Sequence, residues 1–320
     1  GLNIVFSGST IGWIPNSDVA NSLTPVAPLP TRGIFAFGND QSSVVSMSNL
    51  LGSNGVIASD VTGVGTARQN LAGTTYGTDK ALFAYGRAGS PYLSMKNLVN
   101  NSGVVAADVN GVGTNREGCR GIAVGSDGAA LIAFGAISGS RTNISSTVNS
   151  SGVISTDVTG VGTSRQDLGA SRYGVGLGAF AFGGTGSPGN VSTKNLVNTS
   201  GVVGSDVTGV GTVRTNIAAA CYGGDKGVFA YGNPVTAVKN LMSNTGVIAA
   251  DVSGVGKVRR SLQAATYDSD KVAFAYGFND DDDSVLNVKN LCNNVGVISA
   301  DVTGVGTERE DAGVASYSIA

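Results

Sequence analysis

The stretch Asp60-Val61-Thr62-Gly63-Val64-Gly65-Thr66-Ala67-Arg68 decides the fold, because the chain returns to its pattern at a nearly constant period. Gly-Val-Gly recurs at Gly63, Gly111, Gly160, Gly209, Gly254 and Gly304, with spacings of 48, 49, 49, 45 and 50 residues. Three residues before each copy stands an Asp: Asp60, Asp108, Asp157, Asp206, Asp251 and Asp301. Five residues after each stands an Arg: Arg68, Arg116, Arg165, Arg214, Arg259 and Arg309. Self-similarity at this period marks a repeat architecture in which each unit is one supersecondary element.

Reading outward from Arg68, residues 71–76 are small and apolar and read as a strand. Gly77-Thr78-Asp79 is a hairpin turn. Residues 81–85 are almost entirely apolar, a run short enough for a strand buried on both faces, and Gly86 ends it. After a loop, residues 93–99 make a third strand, Asn101-Ser102-Gly103 turns, and the alternating 104–109 makes a fourth. No helical period is present. Four antiparallel strands in 45–50 residues is the size of a propeller blade.

The apolar strand counts the blades. It recurs at 34–37, 81–85, 130–134, 179–182, 227–231 and 272–276, with a seventh copy at 3–6. The strand that should precede that copy stands at the other end, at 312–319, where Tyr317 matches Tyr76. The sequence therefore predicts an all-β, seven-bladed β-propeller in one domain, residues 1–320, with four antiparallel strands per blade. Its ring is closed by the C-terminal strand 312–319 pairing beside the N-terminal strand 3–6, which satisfies two otherwise open edges. The segment 18–22 runs on to Leu23 without Gly-Val-Gly or Arg, and the 15 residues from Leu23 to Gly38 predict an intact blade there.

Composition excludes several function classes. Gly is 49 of 320 residues, well above the usual ~7%, and with 41% apolar residues and no three-residue period this means many turns. Charge is sparse, at 13% with a net −2, so no polybasic footprint for nucleic acid exists. No apolar run approaches the ~18 residues of a membrane span, and the first residues lack a basic leader region. The chain has no His, which removes the commonest general base and the commonest transition-metal ligand. Cys119, Cys221 and Cys292 have no paired spacing and read as small buried hydrophobes. The expectation is a non-enzymatic protein without cofactor or metal.

The repeated Asp and Arg could form a recognition ring. A group needed identically in every unit reads instead as scaffold, with a guanidinium bonded to carbonyls and carboxylate between neighbouring blades. Gly-Val-Gly lacks the Lys and the following helix of a phosphate loop. The acidic run 280–283 could hold Ca²⁺, but it lacks the alternating Asp spacing of a calcium loop and reads as a solvated loop.

What varies between units is a better guide to binding. The loop after the apolar strand differs each time, at 39–43, 87–91, 136–141, 184–190, 233–236 and 278–284. A position just after the repeated Arg also varies: Asn70, Cys119, Asp167, Asn216, Ser261 and Asp311. Variable residues on a rigid scaffold are where binding is commonly built. The candidate binding residues are Asn70, Asp167, Asn216, Ser261 and Asp311, with Arg87, Tyr92, Arg141, Asn190, Asn233 and Asp281 from the loops.

The order Thr66-Ala67-Arg68, Phe83-Ala84-Tyr85-Gly86, Asn101-Ser102-Gly103 resembles the kelch repeat over nearly the whole chain. The kelch Gly-Gly doublet stands only at Gly183-Gly184, and Val or Ile replaces the usual outer-strand Trp. The resemblance implies that the variable loops and the post-Arg positions share one face around the channel mouth. The Asp-Val-Thr-Gly-Val-Gly-Thr repeats with Asp-Lys hairpins also resemble propellers of tailed-phage virion proteins. That implies a virion or extracellular location within a larger assembly. The expected partners are other virion or surface proteins or a host-surface glycan, and the work is assembly or host attachment. Two alternatives stand beside this: a glycan-binding lectin-type propeller, although Trp13 is the only Trp, and an intracellular kelch adaptor that binds peptides.

Overall fold

A computed structural model of the chain describes residues 4–6, 13–15, 31–186 and 189–318. Among these residues there is no helix. Six sheets of three antiparallel strands account for most of the structure. The first joins β3 (Thr31–Asn39) and β4 (Val44–Leu51) to the last strand of the chain, β22 (Gly313–Ser318). The second is β5 (Ala72–Tyr76), β6 (Lys80–Ala84) and β7 (Lys96–Val99), and the third β8 (Arg120–Val124), β9 (Ala129–Ile137) and β10 (Ser140–Val148). The fourth is β11 (Gly169–Tyr173), β12 (Leu177–Ala181) and β13 (Lys194–Val197). The fifth is β14 (Ala218–Tyr222), β15 (Lys226–Ala230) and β16 (Lys239–Met242). The sixth is β17 (Gln263–Tyr267), β18 (Lys271–Ala275) and β21 (Lys289–Cys292). Between its last two strands a short hairpin, β19 (Phe278–Asn279) with β20 (Ser284–Val285), projects from the loop. A separate two-stranded ribbon pairs β1 (Ile4–Phe6) with β2 (Trp13–Pro15).

The apolar run of each repeat is the middle strand. In Lys80–Ala84 four consecutive positions are buried, because strands flank it on both edges and neighbouring sheets cover both faces. The strand before it alternates, as in Ala72–Tyr76, with one face toward the next sheet and the other toward the centre. The core is accordingly six slabs between successive sheets. Ile34, Phe37, Phe83 and Val99 fill the gap between the first two sheets, and Leu82, Tyr85, Ile132 and Val148 fill the next. The last slab, with Tyr267, Tyr276, Phe35 and Leu51, joins the sixth sheet back to the first. This architecture is compatible with a propeller-like repeat.

Two expectations are corrected. The segment 312–319 does not pair beside 3–6: β22 pairs with β3, in the register Ala315↔Ile34 and Tyr317↔Arg32. The reason is burial. β3 is buried from Gly33 to Gly38, with only Thr31, Arg32 and Asn39 at its ends partly exposed, and it takes β22 on one edge and β4 on the other. Ala315 and Tyr317 complete the slab around Ile34 and Phe83. The copy at 4–6 forms the two-stranded ribbon instead, so six three-stranded sheets, rather than seven, are present among the described residues. The strand expected after Leu23, and the residues Asn3 and Ile319, lie outside the described residues.

The fourth strand is also not a ladder. In the second repeat the returning segment touches β7 at two isolated bridges, Val99↔Val105 and Lys96↔Val109. Between them the Asn97 side chain donates to Ala106 O at 2.9 Å and to Asp108 Oδ1 at 2.9 Å. The amide therefore takes over backbone pairing, and the segment bows away from the sheet.

The glycines of Gly-Val-Gly have separate causes. A Cβ on Gly254 would lie 1.3 Å from Ala237 O, so the returning segment crosses the stretch leading into β16 at backbone contact. Gly256 has φ +91°, and its Cβ would meet Asp301 Oδ1 at 2.2 Å.

Candidate functional site

The repeated Arg side chains are wholly buried. Arg214 donates to Tyr231 O (2.9 Å), Thr212 O (3.1 Å) and Asn240 Oδ1 (2.5 Å), and its guanidinium carbon lies 4.5 Å from the centre of the Phe182 ring. Phe182 belongs to the preceding sheet, whereas Asn240 and Tyr231 belong to the sheet that Arg214 opens. The same stacking places Arg68 over Phe37, Arg116 over Tyr85, Arg165 over Phe134, Arg259 over Tyr231 and Arg309 over Tyr276. The Arg backbone also reaches across: Arg214 O accepts from Gly183 N and Arg309 O from Gly277 N. Each Arg thus fills one gap between sheets by stacking, hydrogen bonds and charge. Burial pulls the Arg68, Arg165 and Arg214 guanidiniums down to about 10, against the raising effect of their Asp partners, so they stay protonated at neutral pH.

The partner Asp residues sit at the edge of this network. Arg68–Asp108, Arg165–Asp206 and Arg214–Asp251 are separated by 3.8–3.9 Å. Asp60 accepts from Thr307 Oγ1 and N and from Asn49. Partial burial pushes the Asp60 carboxyl up, but these hydrogen bonds and Arg309 outweigh it and hold the group below its ordinary value. Asp301 takes the same contacts from Lys257 N and Asn290. The third repeat departs from the pattern. Ser146 stands where the others carry Asn, and Arg116 then reaches Asp157 directly at 2.9 Å.

This geometry seats the aromatic before each repeated Gly in an unusual backbone. Phe37, Tyr85, Phe134, Phe182, Tyr231 and Tyr276 all have φ between 63° and 66°. A bulky residue there costs about 1 kcal/mol or more. The bulge aims the ring beneath the next Arg, and that stacking offsets the strain.

At one end of the molecule the residues two after each Arg form a closed chain of backbone hydrogen bonds. Asn70 N donates to Asp311 O, Gly118 N to Asn70 O, Asp167 N to Gly118 O, Asn216 N to Asp167 O, Ser261 N to Asn216 O, and Asp311 N to Ser261 O. The six distances run from 2.8 to 3.2 Å. Every member has φ between 52° and 61°. Cys119 is not a member: Gly118 holds the place, and Cys119 lies one residue on in a core slab. Burial pushes its thiol up, the opposite of activation.

The residues preceding the ring bridge to the first residues of the variable loops: Gln69↔Arg87, Glu117↔Ala136, Gln166↔Gly184, Thr215↔Asn233, Arg260↔Phe278 and Glu310↔Asn39. Ring and loops therefore share one face. On it Arg87 pairs with Glu117 at 2.9 Å, and its backbone bridges to Tyr92. Asn190 donates to Asn233 O at 2.9 Å, and Arg141 donates to Gly139 O at 2.7 Å. Asp281 lies exposed at the β19–β20 hairpin tip, where its backbone N donates to Asn279 Oδ1. In that hairpin Asp280 is paired with Arg260 and Asp282 with Lys257.

Beneath the ring a central cavity of about 210 Å³ is lined by β5, β8, β11, β14, β17 and β22. Small residues form its first layer: Gly73, Gly121, Ala170, Ala219, Ala264 and Val314. Two carboxylates of the ring are shifted upward. Burial pushes Asp167 up, and burial, Glu310 and Asp167 together push Asp311 to about 7.

Sequence reasoning missed three groups. The Asn set (Asn49, Asn97, Asn195, Asn240, Asn290) stands 11 residues before each Asp, a spacing as regular as the Asp itself. Lys96, Lys194, Lys239 and Lys289 each donate to a turn carbonyl of the following sheet, at Gly152, Gly246, Gly296 and Gly55. The residues between Arg and ring, Gln69 to Glu310, were visible as a second variable position.

Among the described residues no helix is long and apolar enough to cross a membrane, and no group of three or more Asp, Glu, His or Cys is placed to hold a metal ion. No family model matches the chain, and no curated protein matches it in sequence.

Proposed function

We propose that the chain is a kelch-like β-propeller, with six blades around the closed hydrogen-bond ring, that acts as a non-enzymatic interaction module. The observation that carries the reading is the coincidence of variation with one face. The Asp, Arg, Asn and Gly residues that join the sheets repeat almost without change. The ring position, the residue before it and the bridging loop differ from repeat to repeat and lie together. A scaffold held constant beneath residues free to differ is the arrangement of a recognition surface. The style of the repeats supports a place in a phage particle or another extracellular assembly, where the module would dock to a neighbouring structural protein or to a host-surface molecule.

The test uses the purified chain in co-sedimentation with the particle or cell surface of its source. Asn190→Arg and Asn233→Arg place bulk on the variable face, and Asp127→Arg alters the hairpin end. The reading expects binding that the first two variants lose at least tenfold and the third retains. Absence of binding, or equal loss in all three variants, overturns it.

A further inference from the structure

The ring carries a chemical imbalance that the interaction face does not explain. Three of its side-chain oxygens, Asn70 Oδ1, Asp167 Oδ1 and Asp311 Oδ1, are closed off from solvent and have no hydrogen-bond partner. Asp167 is only 7% exposed. Its other oxygen accepts from Gln166 Nε2 at 2.6 Å, and Oδ1 leans toward Gly118, where a Cβ would stand 2.7 Å away. Following the hydrogen bonds around the ring, Asp167 and Asp311 take opposite places and Asn70 adjoins Asp311. Unpaired buried acceptors are costly, and buried carboxylates are ordinarily paired or metal-bound. The surrounding charges balance this only in part. Arg120 acts on both carboxylates, Arg87 and Arg141 act on Asp167, and Glu310 adds negative charge beside Asp311. Arg87 is itself engaged by Glu117.

We propose that the ring binds one hard divalent cation of the Ca²⁺ class on the central axis, with Asp167 Oδ1, Asp311 Oδ1 and Asn70 Oδ1 as its protein ligands. Two carboxylates match the charge, and an amide oxygen is a usual third donor for such an ion. Size separates this occupant from an ammonium group. An ammonium nitrogen carries one charge and bonds oxygen at about 2.8 Å, whereas Ca²⁺ carries two, as the two carboxylates do, and bonds at about 2.3–2.6 Å. A transition metal would call for His or thiolate, and the chain has no His. Remaining coordination positions fall to water on the axis. The site is distinct from the acidic hairpin at 280–283, whose Asp280 and Asp282 are already ion-paired.

Equilibrium dialysis of the intact, EDTA-stripped chain against Ca²⁺ at pH 8 tests the stoichiometry, and thermal unfolding with 10 mM Ca²⁺ tests the site. We expect one Ca²⁺ per chain. With a dissociation constant near 1 mM, as extracellular modules commonly show, Tm should rise by about 2 °C. Asp167→Asn and Asp311→Asn should abolish the rise, and Asp282→Asn should keep it. The proposal is overturned by binding below about 0.2 per chain. It is equally overturned by an equal rise with Mg²⁺ or putrescine, by a rise that survives both ring variants, or by one lost in Asp282→Asn.

Discussion

Replacing Arg214 by Met asks whether the repeated guanidinium is the group that joins neighbouring sheets. Met retains much of the aliphatic volume and removes every donor. Asn240 Oδ1, wholly buried, then loses its 2.5 Å partner, and Tyr231 O loses one at 2.9 Å. A buried acceptor left unpaired costs about 1–3 kcal/mol, and the lost stacking on Phe182 adds about 1 kcal/mol. The expected loss is about 3–5 kcal/mol, the range for breaking a buried charged network from one side. Unfolding entropy of about 2 cal/mol/K per residue converts each kcal/mol into roughly 1.5 °C for a chain of this length. The variant should therefore melt about 5–8 °C below the parent in calorimetry. Arg214→Lys should lose nearly as much, because an ammonium cannot span Tyr231 O, Thr212 O and Asn240 together. Asp251→Asn should cost only about 1 kcal/mol, since Asp251 stands 3.9 Å from the guanidinium at a part-exposed edge. A melting point within 1 °C of the parent for Arg214→Met, or an Asp251→Asn loss as large as that of the Arg variant, would refute the assignment.

Gly254→Ala should prevent folding or lower Tm by more than 5 °C, because its Cβ falls 1.3 Å from Ala237 O, while Val255→Thr at the exposed position between the glycines should shift Tm by less than 1 °C. Lys239→Met removes the bond to Gly296 O and should cost about 1–2 kcal/mol in urea unfolding. The Asp311 carboxyl sits near 7 in the native state and near 4 in the unfolded chain, so the native state keeps a proton that the unfolded chain releases. In EDTA, stability should fall as pH rises from about 4 to 7 and then level off; Asp311→Asn should flatten that limb. Asp60, Asp108, Asp206 and Asp251 are held low, so the acid limb below pH 4, where stability falls as these protonate, should persist in the same variant. A chain beginning at Thr31 keeps all six three-stranded sheets and should fold with a near-parental circular dichroism spectrum, whereas removal of 313–320 strips β22 from β3 and should not yield a soluble monomer.

The order of elements within a repeat was legible because it depends on local pattern: a small-residue strand, a hairpin, an apolar strand, a Gly. The fourth strand misled because alternation in 104–109 cannot reveal that Asn97, a polar residue in the preceding strand, spends its amide on the backbone of that segment. The ring position was found and then misplaced by one residue at Gly118, since nothing local distinguishes a positive-φ Gly on the axis from Cys119 in the adjoining slab. The blade count was out of reach for a more general reason: six three-stranded sheets stand among the described residues, with the copy at 4–6 in a two-stranded ribbon. An apolar run such as 3–6 reports a strand that resembles the middle of a sheet, but says nothing about which edges are available to complete one. β3 takes its inner partner from 280 residues away, and Tyr317↔Arg32 is a pairing that only the whole ring selects. The repeated Arg carries the information that the strand lacks. Each one fills a gap between two sheets, stacking on the aromatic of one and bonding the Asn of the other. In the proposed propeller a closed ring has as many gaps as sheets. Six Arg residues, with the sixth, Arg309, bonded to Asn49 of the first sheet at 2.6 Å, therefore call for six sheets and for a closure at β3.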